Sequence, residues 1–481
     1  MACDRATVRA DPGALAAPRP RVHQGRSLND STKRETWSSH LAFYLSVAGA
    51  AVGLGTLWRF PFLAGQYGGG LFVLVFVLAC LLIAVPLLTA EFMLGRRGGS
   101  NVPAAPGNVA LAAGRSARWS LIGWLGTVAM FLIMTYYSVI GGWVLSYIEA
   151  FAVGNAATLD REALAARFAA LLADPWRLLL WHTLFMGATA LISSAGLHRG
   201  IELANKIMLP GLFLILTGLA IYALMQGDAA GALAFLTRAD FSQLTGELVL
   251  AAVGQAFFAT GVGMGIMIAY GSQVTPDESL PRSAGVVVVS IVLASILASV
   301  LIFPLVFGYG VDPAHGPQLA FIVLPSIFVG MPGGALVGTL FFILLAFAAL
   351  SSSIAGLEPA VGWLTERFGF RRTPAVALVA TAMWLIGIGT VLSFNHWRDV
   401  HPLGAIERFR TATLFDLTDF VAANVLLPLG ALLTCILAGW RLGHTTMAAD
   451  FGAHTGVRKA IVTLLRYVCP VAIVVVLVSA L

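Results

Sequence analysis

Three consecutive hydroxyls, Ser351-Ser352-Ser353, interrupt an otherwise apolar stretch of the chain. Neutral oxygens of this kind, joined by free backbone carbonyls, suit a hard cation such as Na+. Serines inside membrane helices also simply bond back to their own helix, so the hydroxyls need a partner element. Two glycine clusters offer one: Gly49, Gly53 and Gly55, flanked by Ala50 and Ala51, and Gly261, Gly263 and Gly265. Each glycine costs a helix about 1 kcal/mol and leaves helical geometry easily. An unwound turn at membrane depth survives only where its carbonyls and N–H groups line a cavity or hold an ion. Glycine-mediated helix packing is the plainer reading of either cluster alone. Arg59 follows the first cluster by about one helical turn. It and Asp419 are charges near membrane depth that could close over a site, or snorkel at the interface. Tyr136 and Tyr137 add phenolic hydroxyls. The set contains neither a nucleophile–base pair nor a metal-ligating constellation, so its chemistry is binding and not catalysis.

The elements that must position these groups are membrane helices. The 481 residues are 58% apolar and 11% charged, with mean hydropathy +0.87, which excludes a water-soluble domain. Apolar stretches predict eleven helices over 40–66, 70–97, 119–152, 176–195, 199–226, 246–274, 281–309, 334–367, 373–393, 415–442 and 459–480, labelled α1 to α11 in order. Segments 153–175 and 311–333 are long enough for short surface helices. The basic pI of about 9.3 does not indicate nucleic acid, because the positive residues are scattered in loops. Most of the 29 Lys and Arg fall in the first 34 residues, 96–118, 199–206, Arg282, 367–372 and 441–466. That bias places the N-terminus inside and, with an odd helix count, the C-terminus outside. Residues 1–36 lack the apolar core of a signal peptide and read as a disordered cytoplasmic tail; 37–481 form the membrane domain. The four cysteines, at 3, 80, 435 and 469, make neither a disulfide framework nor a CxxC metal site. The glycine clusters lie in α1 and α6, five helices apart. This predicts an all-α polytopic fold of two inverted five-helix repeats, α1–α5 and α6–α10, with broken α1 and α6 around a central site.

The run GLGTLWRFP at 53–61 with GGG at 68–70, GQAFF at 254–258 and LSSSIA at 350–355 resembles the neurotransmitter:sodium symporter family, which includes eleven-helix bacterial members. The likeness runs in unbroken order from Arg34 to Ser479. Gly200 and Pro210 match the family's Gly-X9-Pro element in α5, and Glu91 its carboxylate supporting the broken α6. The resemblance implies a second sodium site made by Gly49, Val52, Ala348, Ser351 and Ser352. The first sodium site is expected to be lost, since its side-chain oxygens are reduced to Thr56, Ala259 and Ile291. The chloride site is expected to be lost as well, with Phe76 and Ala259 replacing hydroxyls and only Gln255 and Ser295 remaining. No carboxylate between Gly285 and Phe303 replaces the anion.

By the same resemblance, Gly53 and Gly55 present N–H groups to an anionic substrate group, aided by the half-helix dipole. Tyr137 donates to that group and Phe258 lids the pocket. Ala51, Ile133, Ala259, Gly261, Met264, Ser352 and Gly356 line the rest, and glycine at 261 and 356 predicts a roomy pocket. Glycine at 53, where amine-transporting relatives carry Asp, predicts a substrate with its own acid group. Arg59 with Asp419 forms the outer gate, and Arg34 with Glu366, near Trp37 and Tyr270, the inner one. The function so implied is sodium-coupled import of an amino acid or amino-acid-like solute by alternating access across a bacterial plasma membrane, with one Na+ per cycle. Proton coupling through Glu91, Glu358 or Asp419 and a non-transporting nutrient sensor are the alternatives; oligomeric state is not encoded in any motif.

Overall fold

The computed structural model describes residues 35–154, 156, 159–311, 319–442, 450–451 and 455–480. Arg34 and nearly all of the expected tail lie outside the described residues. Among the described residues all regular structure is helical. Eight helices among the described residues are long and apolar enough to cross a membrane: α2 (Gly70–Gly98), α3 (Ala117–Ala152), α5 (Leu197–Gln226), α7 (Leu280–Gly308), α8 (Gly334–Phe368), α9 (Arg372–Ser393), α10 (Leu414–Arg441) and α11 (Gly456–Ala480). A ninth, α1, is the pair His40–Ala51 and Gly55–Gln66, bent by 58°. The expected eleven are completed by α4 (Pro175–Ser194) and by α6, split into Gly246–Thr260 and Ile266–Gly271. The two broken helices therefore head the two five-helix halves.

Local chemistry explains where these helices begin and end. The Ser39 hydroxyl accepts from the Ala42 N–H at the start of α1. Asp174 caps α4 ahead of Pro175, and Thr245 caps α6, each accepting orphan N–H groups of the first turn. α2 and α8 stop at Gly99 and Gly369, both left-handed. The third helices of the two halves, α3 and α8, are 36 and 35 residues long and pack on one another. They form a scaffold against which α1 and α6 lie. Leu74, Leu78, Leu81 and Leu82 of α2, Leu214, Ile221 and Met225 of α5, and Val471, Val475 and Val478 of α11 are exposed. An apolar surface of this kind is what lipid, and not water, tolerates.

Segments 153–175 and 311–333 hold the short helices Arg161–Ala173 and Leu324–Val329. Ala105–Ala112 and Ala229–Thr237 are further short helices that the apolar pattern did not separate from loops. They are about two turns long, too short for a period to show.

Candidate functional site

The interruption of α1 is a hydrogen-bond rearrangement. In a continued helix the Gly53 N–H would bond the Gly49 carbonyl; here it bonds Ala51 at 3.0 Å. The Thr56 N–H likewise turns to Gly53 at 3.1 Å, away from Val52. Gly49 and Val52 thus keep carbonyls that no helical donor occupies, and Val52 has left helical geometry at φ −78°, ψ 85°. α6 breaks differently. Gly261, Gly263 and Gly265 all take positive φ, 66°, 85° and 74°, which a side chain would resist. Glu91 of α2 reaches into this turn and accepts from the Gly263 N–H at 2.7 Å. The two breaks are joined directly, since Gln255 Nε2 donates to the Gly55 carbonyl at 2.8 Å.

Between the breaks lies a cavity of about 60 Å³. Ala51, Gly53, Gly55, Ile133, Tyr137, Phe258, Ala259, Gly261, Met264 and Ser352 all line it. A Cβ at Gly53 would come 2.8 Å from Ser352 Oγ and 3.3 Å from Tyr137 Oη. The backbone of α1 can approach both hydroxyls only because residue 53 has no side chain. Both hydroxyls are buried; Tyr137 Oη faces Ser352 and the Leu54 N–H without reaching full hydrogen-bond geometry, and the Thr56 hydroxyl on the same wall is buried as well. At Gly55 a Cβ would meet the Phe258 ring at 2.5 Å, so that glycine seats the ring over the cavity.

Two expectations about this pocket change. Gly356 does not line it: Met130 Cε and Met134 Sδ lie 2.4 and 2.8 Å from where its Cβ would stand. Space that a glycine vacates in sequence is refilled by neighbouring methionines, so the pocket is tight and not roomy. Met130 and Ile266 join the lining, and only packing could reveal them.

Beyond Phe258 a larger cavity of about 360 Å³ is lined by Arg59, Asp419, Tyr136 and Phe258, among others. Arg59 lies over the Phe258 ring, its guanidinium carbon 4.8 Å from the centroid. Asp419 shares the cavity, and no direct ion pair between the two is present among the described residues. At the expected inner gate Trp37 Nε1 donates to the Tyr270 carbonyl at 3.2 Å and its ring meets Tyr270 edge-on. Glu366 accepts from the Asn101 backbone and side chain at 2.7 and 3.0 Å; its expected partner Arg34 lies outside the described residues.

Below the cavity, Ser351 of α8 and Gly49 of α1 face one another: a Cβ at Gly49 would be 3.5 Å from Ser351 Cβ. The Ser351 hydroxyl donates to the Ala348 carbonyl at 3.1 Å and keeps its lone pairs free. These oxygens are neutral, buried and suited to a hard monovalent ion. Among the described residues no cluster of three His, Cys, Asp or Glu could bind another metal.

The positions expected of a first cation site read differently. Ile291 is fully buried and apolar, and Ala259 offers no oxygen, which leaves Thr56. At the expected anion site Phe76 packs its ring 4.7 Å from that of Phe60, and the Gln255 amide directs one of its two N–H groups to the Gly55 carbonyl.

Comparison with known proteins agrees over the whole membrane region. The family model described as Sodium:neurotransmitter symporter family matches residues 34–155 and 174–481. A sodium-dependent transporter of Bacillus subtilis is 36% identical, over 92% of this chain and 96% of its own length. A second, from Haemophilus influenzae, is 34% identical over 86% and 90%. The crystal structure of MhsT in complex with L-phenylalanine superposes with a TM-score of 0.84 at 38% identity, covering 93% of this chain and all of that one.

Proposed function

The chain belongs to the sodium:neurotransmitter symporter family, and from that premise we propose that it imports an amino acid with an apolar side chain, with one Na+ per cycle, by alternating access at the cavity between the α1 and α6 breaks. One observation carries the substrate class. The buried hydroxyls of Tyr137 and Ser352, which face one another without a well-formed hydrogen bond, flank Gly53, and buried polar groups are costly until a ligand satisfies them fully. A substrate carboxylate would accept from Tyr137 and from the N–H groups of the α1 break, where the half-helix dipole adds to the attraction. No acidic side chain lines the cavity to pair a bare amine. Met130, Ile133, Ala259, Met264 and Ile266 form the rest of the wall, an apolar and, through its methionines, adaptable surface. The relative crystallised with L-phenylalanine supports the same reading.

Sodium would be held by the carbonyls of Gly49, Val52 and Ala348 and the hydroxyls of Ser351 and Ser352. Binding there joins α1 to the α3–α8 scaffold and favours the arrangement in which the α1 amides face the substrate. Thr56 alone cannot complete a second shell. Sodium dependence is therefore expected to be hyperbolic, with a Hill coefficient near one. Each Na+ contributes about 2.3 kcal/mol per 100 mV of membrane potential, so the driving force should be that of a single ion. The test is purified protein in proteoliposomes, screened with labelled amino acids, then titrated with sodium under clamped potential. A reversal potential fitting two Na+ per substrate would overturn the stoichiometry; flux that ignores sodium and follows pH would replace it by proton coupling.

Chloride should be dispensable. With Phe76 packed on Phe60 and Gln255 engaged with Gly55, an anion would find too few donors, and exchanging chloride for gluconate should leave uptake within about twofold. A several-fold drop would show that the second Gln255 N–H and the Ser295 hydroxyl are joined by donors from elsewhere.

Arg59 should act in closure more than in recognition. Arg59→Ala removes the cation above Phe258 and is expected to speed substrate escape several-fold while sodium affinity stays within about twofold. Substrate dissociation and sodium titrations followed in parallel separate the two effects, and unchanged dissociation would reduce Arg59 to an interfacial anchor.

A further inference from the structure

Asn205 is an amide in the N-terminal half of α5, between Gly200 and Pro210, and it is fully buried. Its Nδ2 donates to the Ile201 carbonyl at 2.9 Å, while its Oδ1 is buried with no hydrogen-bond partner. The orientation is fixed by chemistry: exchanging the two ends would set Oδ1 against the Ile201 carbonyl, oxygen to oxygen. The free oxygen has a definite address. It lies 2.3 Å from where a Cβ on Gly49 would stand, and that same point is 3.5 Å from Ser351 Cβ. Residue 49 must be glycine for this oxygen to be there.

An unpaired amide oxygen in a dry interior costs about 1–3 kcal/mol, and it has been brought beside two residues to which the reading above gives sodium. Gly49 contributes a carbonyl freed by the break and Ser351 a hydroxyl. We propose that Asn205 Oδ1 is a further sodium ligand, contributed by α5, so that the ion joins three helices and not only α1 and α8. An amide carbonyl is a harder, more polar donor than a hydroxyl and suits a cation that demands oxygen ligands. The proposal rests on the second-site reading, and its test is built to fail separately from it.

The measurement is sodium-dependent thermal stabilisation of the detergent-purified protein, titrated with NaCl against choline chloride at constant ionic strength. Asn205→Ala is expected to raise the sodium midpoint at least about tenfold. Asn205→Asp, which keeps an oxygen in place, is expected to hold the midpoint at or below the wild-type value. A purely structural Asn205 would lower the melting temperature in choline and leave the sodium midpoint alone, so a midpoint within twofold of wild type in Asn205→Ala overturns the proposal. An Asp variant as weak as the Ala variant overturns it too. Should Asn205→Ala not purify, Asn205→Leu, similar in size and without oxygen, takes its place under the same criteria. Ser351→Ala, run alongside, tells the two readings apart: if it loses the sodium response while Asn205→Ala keeps it, the second site stands and only the Asn205 ligand falls.

Discussion

Replacing Ser351 and Ser352 together by alanine is expected to abolish the sodium-dependent rise in melting temperature, and with it sodium-driven uptake. The two hydroxyls lie on α8 facing the opened turn of α1. Their exchange for methyl groups presents hydrocarbon to an ion that must shed its water to enter. A dehydrated cation recovers that cost only through oxygen ligands, and the carbonyls of Gly49, Val52 and Ala348, even joined by Asn205 Oδ1, would be too few. The loss should be seen as ligand linkage: at a concentration one hundred times its dissociation constant an ion stabilises the folded state by about 2.7 kcal/mol, and this increment should vanish. Stability in choline should change little, because Ser352 Oγ makes no well-formed hydrogen bond, only a loose approach to Tyr137, and Ser351 bonds within its own helix. The single variants divide the roles. Ser351→Ala should affect sodium alone, whereas Ser352→Ala should also weaken substrate binding, since Ser352 borders the cavity at Gly53. A double variant whose sodium shift equals wild type would remove the sodium assignment from this site.

Gly263→Ala should be far more damaging than Gly261→Ala, although the two glycines stand two residues apart with similar backbone angles. At φ 66° and 85°, either alanine carries a left-handed penalty of about 1–2 kcal/mol. The surroundings then separate them. A Cβ at 261 meets only the flexible Met264 sulfur at 3.5 Å, while at 263 it would stand 2.6 Å from the Leu427 carbonyl oxygen of α10. Backbone cannot move aside as a methionine can. The Gly263 N–H is also the donor that holds Glu91 at 2.7 Å. Displacing it would leave a buried carboxylate without its one partner, at a cost of several kcal/mol. Gly263→Ala is therefore expected to lose most folded protein or all substrate binding, and Gly261→Ala to fold and bind within about tenfold of wild type. Size-exclusion profiles and substrate-dependent melting shifts decide it. Equal behaviour of the two variants would mean that the α6 turn relaxes freely and is not held by Glu91 and α10.

What the amino-acid sequence determined by itself follows from periodicity and from backbone physics. Apolar runs of membrane length fix the number and order of helices, because lipid leaves the backbone no alternative to helix. Glycine clusters such as 49–55 and 261–265 locate the breaks, because only there is departure from the helix inexpensive. The cavity-lining positions from Gly53 to Ser352 were named through the family resemblance, whose motifs surround those breaks, while Ile133 and Tyr137 of the unbroken α3 carry no such local signal. Distances across helices were decided only by the tertiary structure. Gly356 reads in sequence as an opening, yet Met130 and Met134 fill it from α3. Arg59 and Asp419 read as a pair of opposite charges, yet Arg59 rests on Phe258. Asn205 reads as one amide in an apolar helix; only the packing of α5 on α1 sets its free oxygen beside Gly49 and Ser351. A chain specifies which groups will leave the helix or resist burial through local energies. Which of them meet depends on how side chains from distant helices share volume, and that is a property of the packed whole.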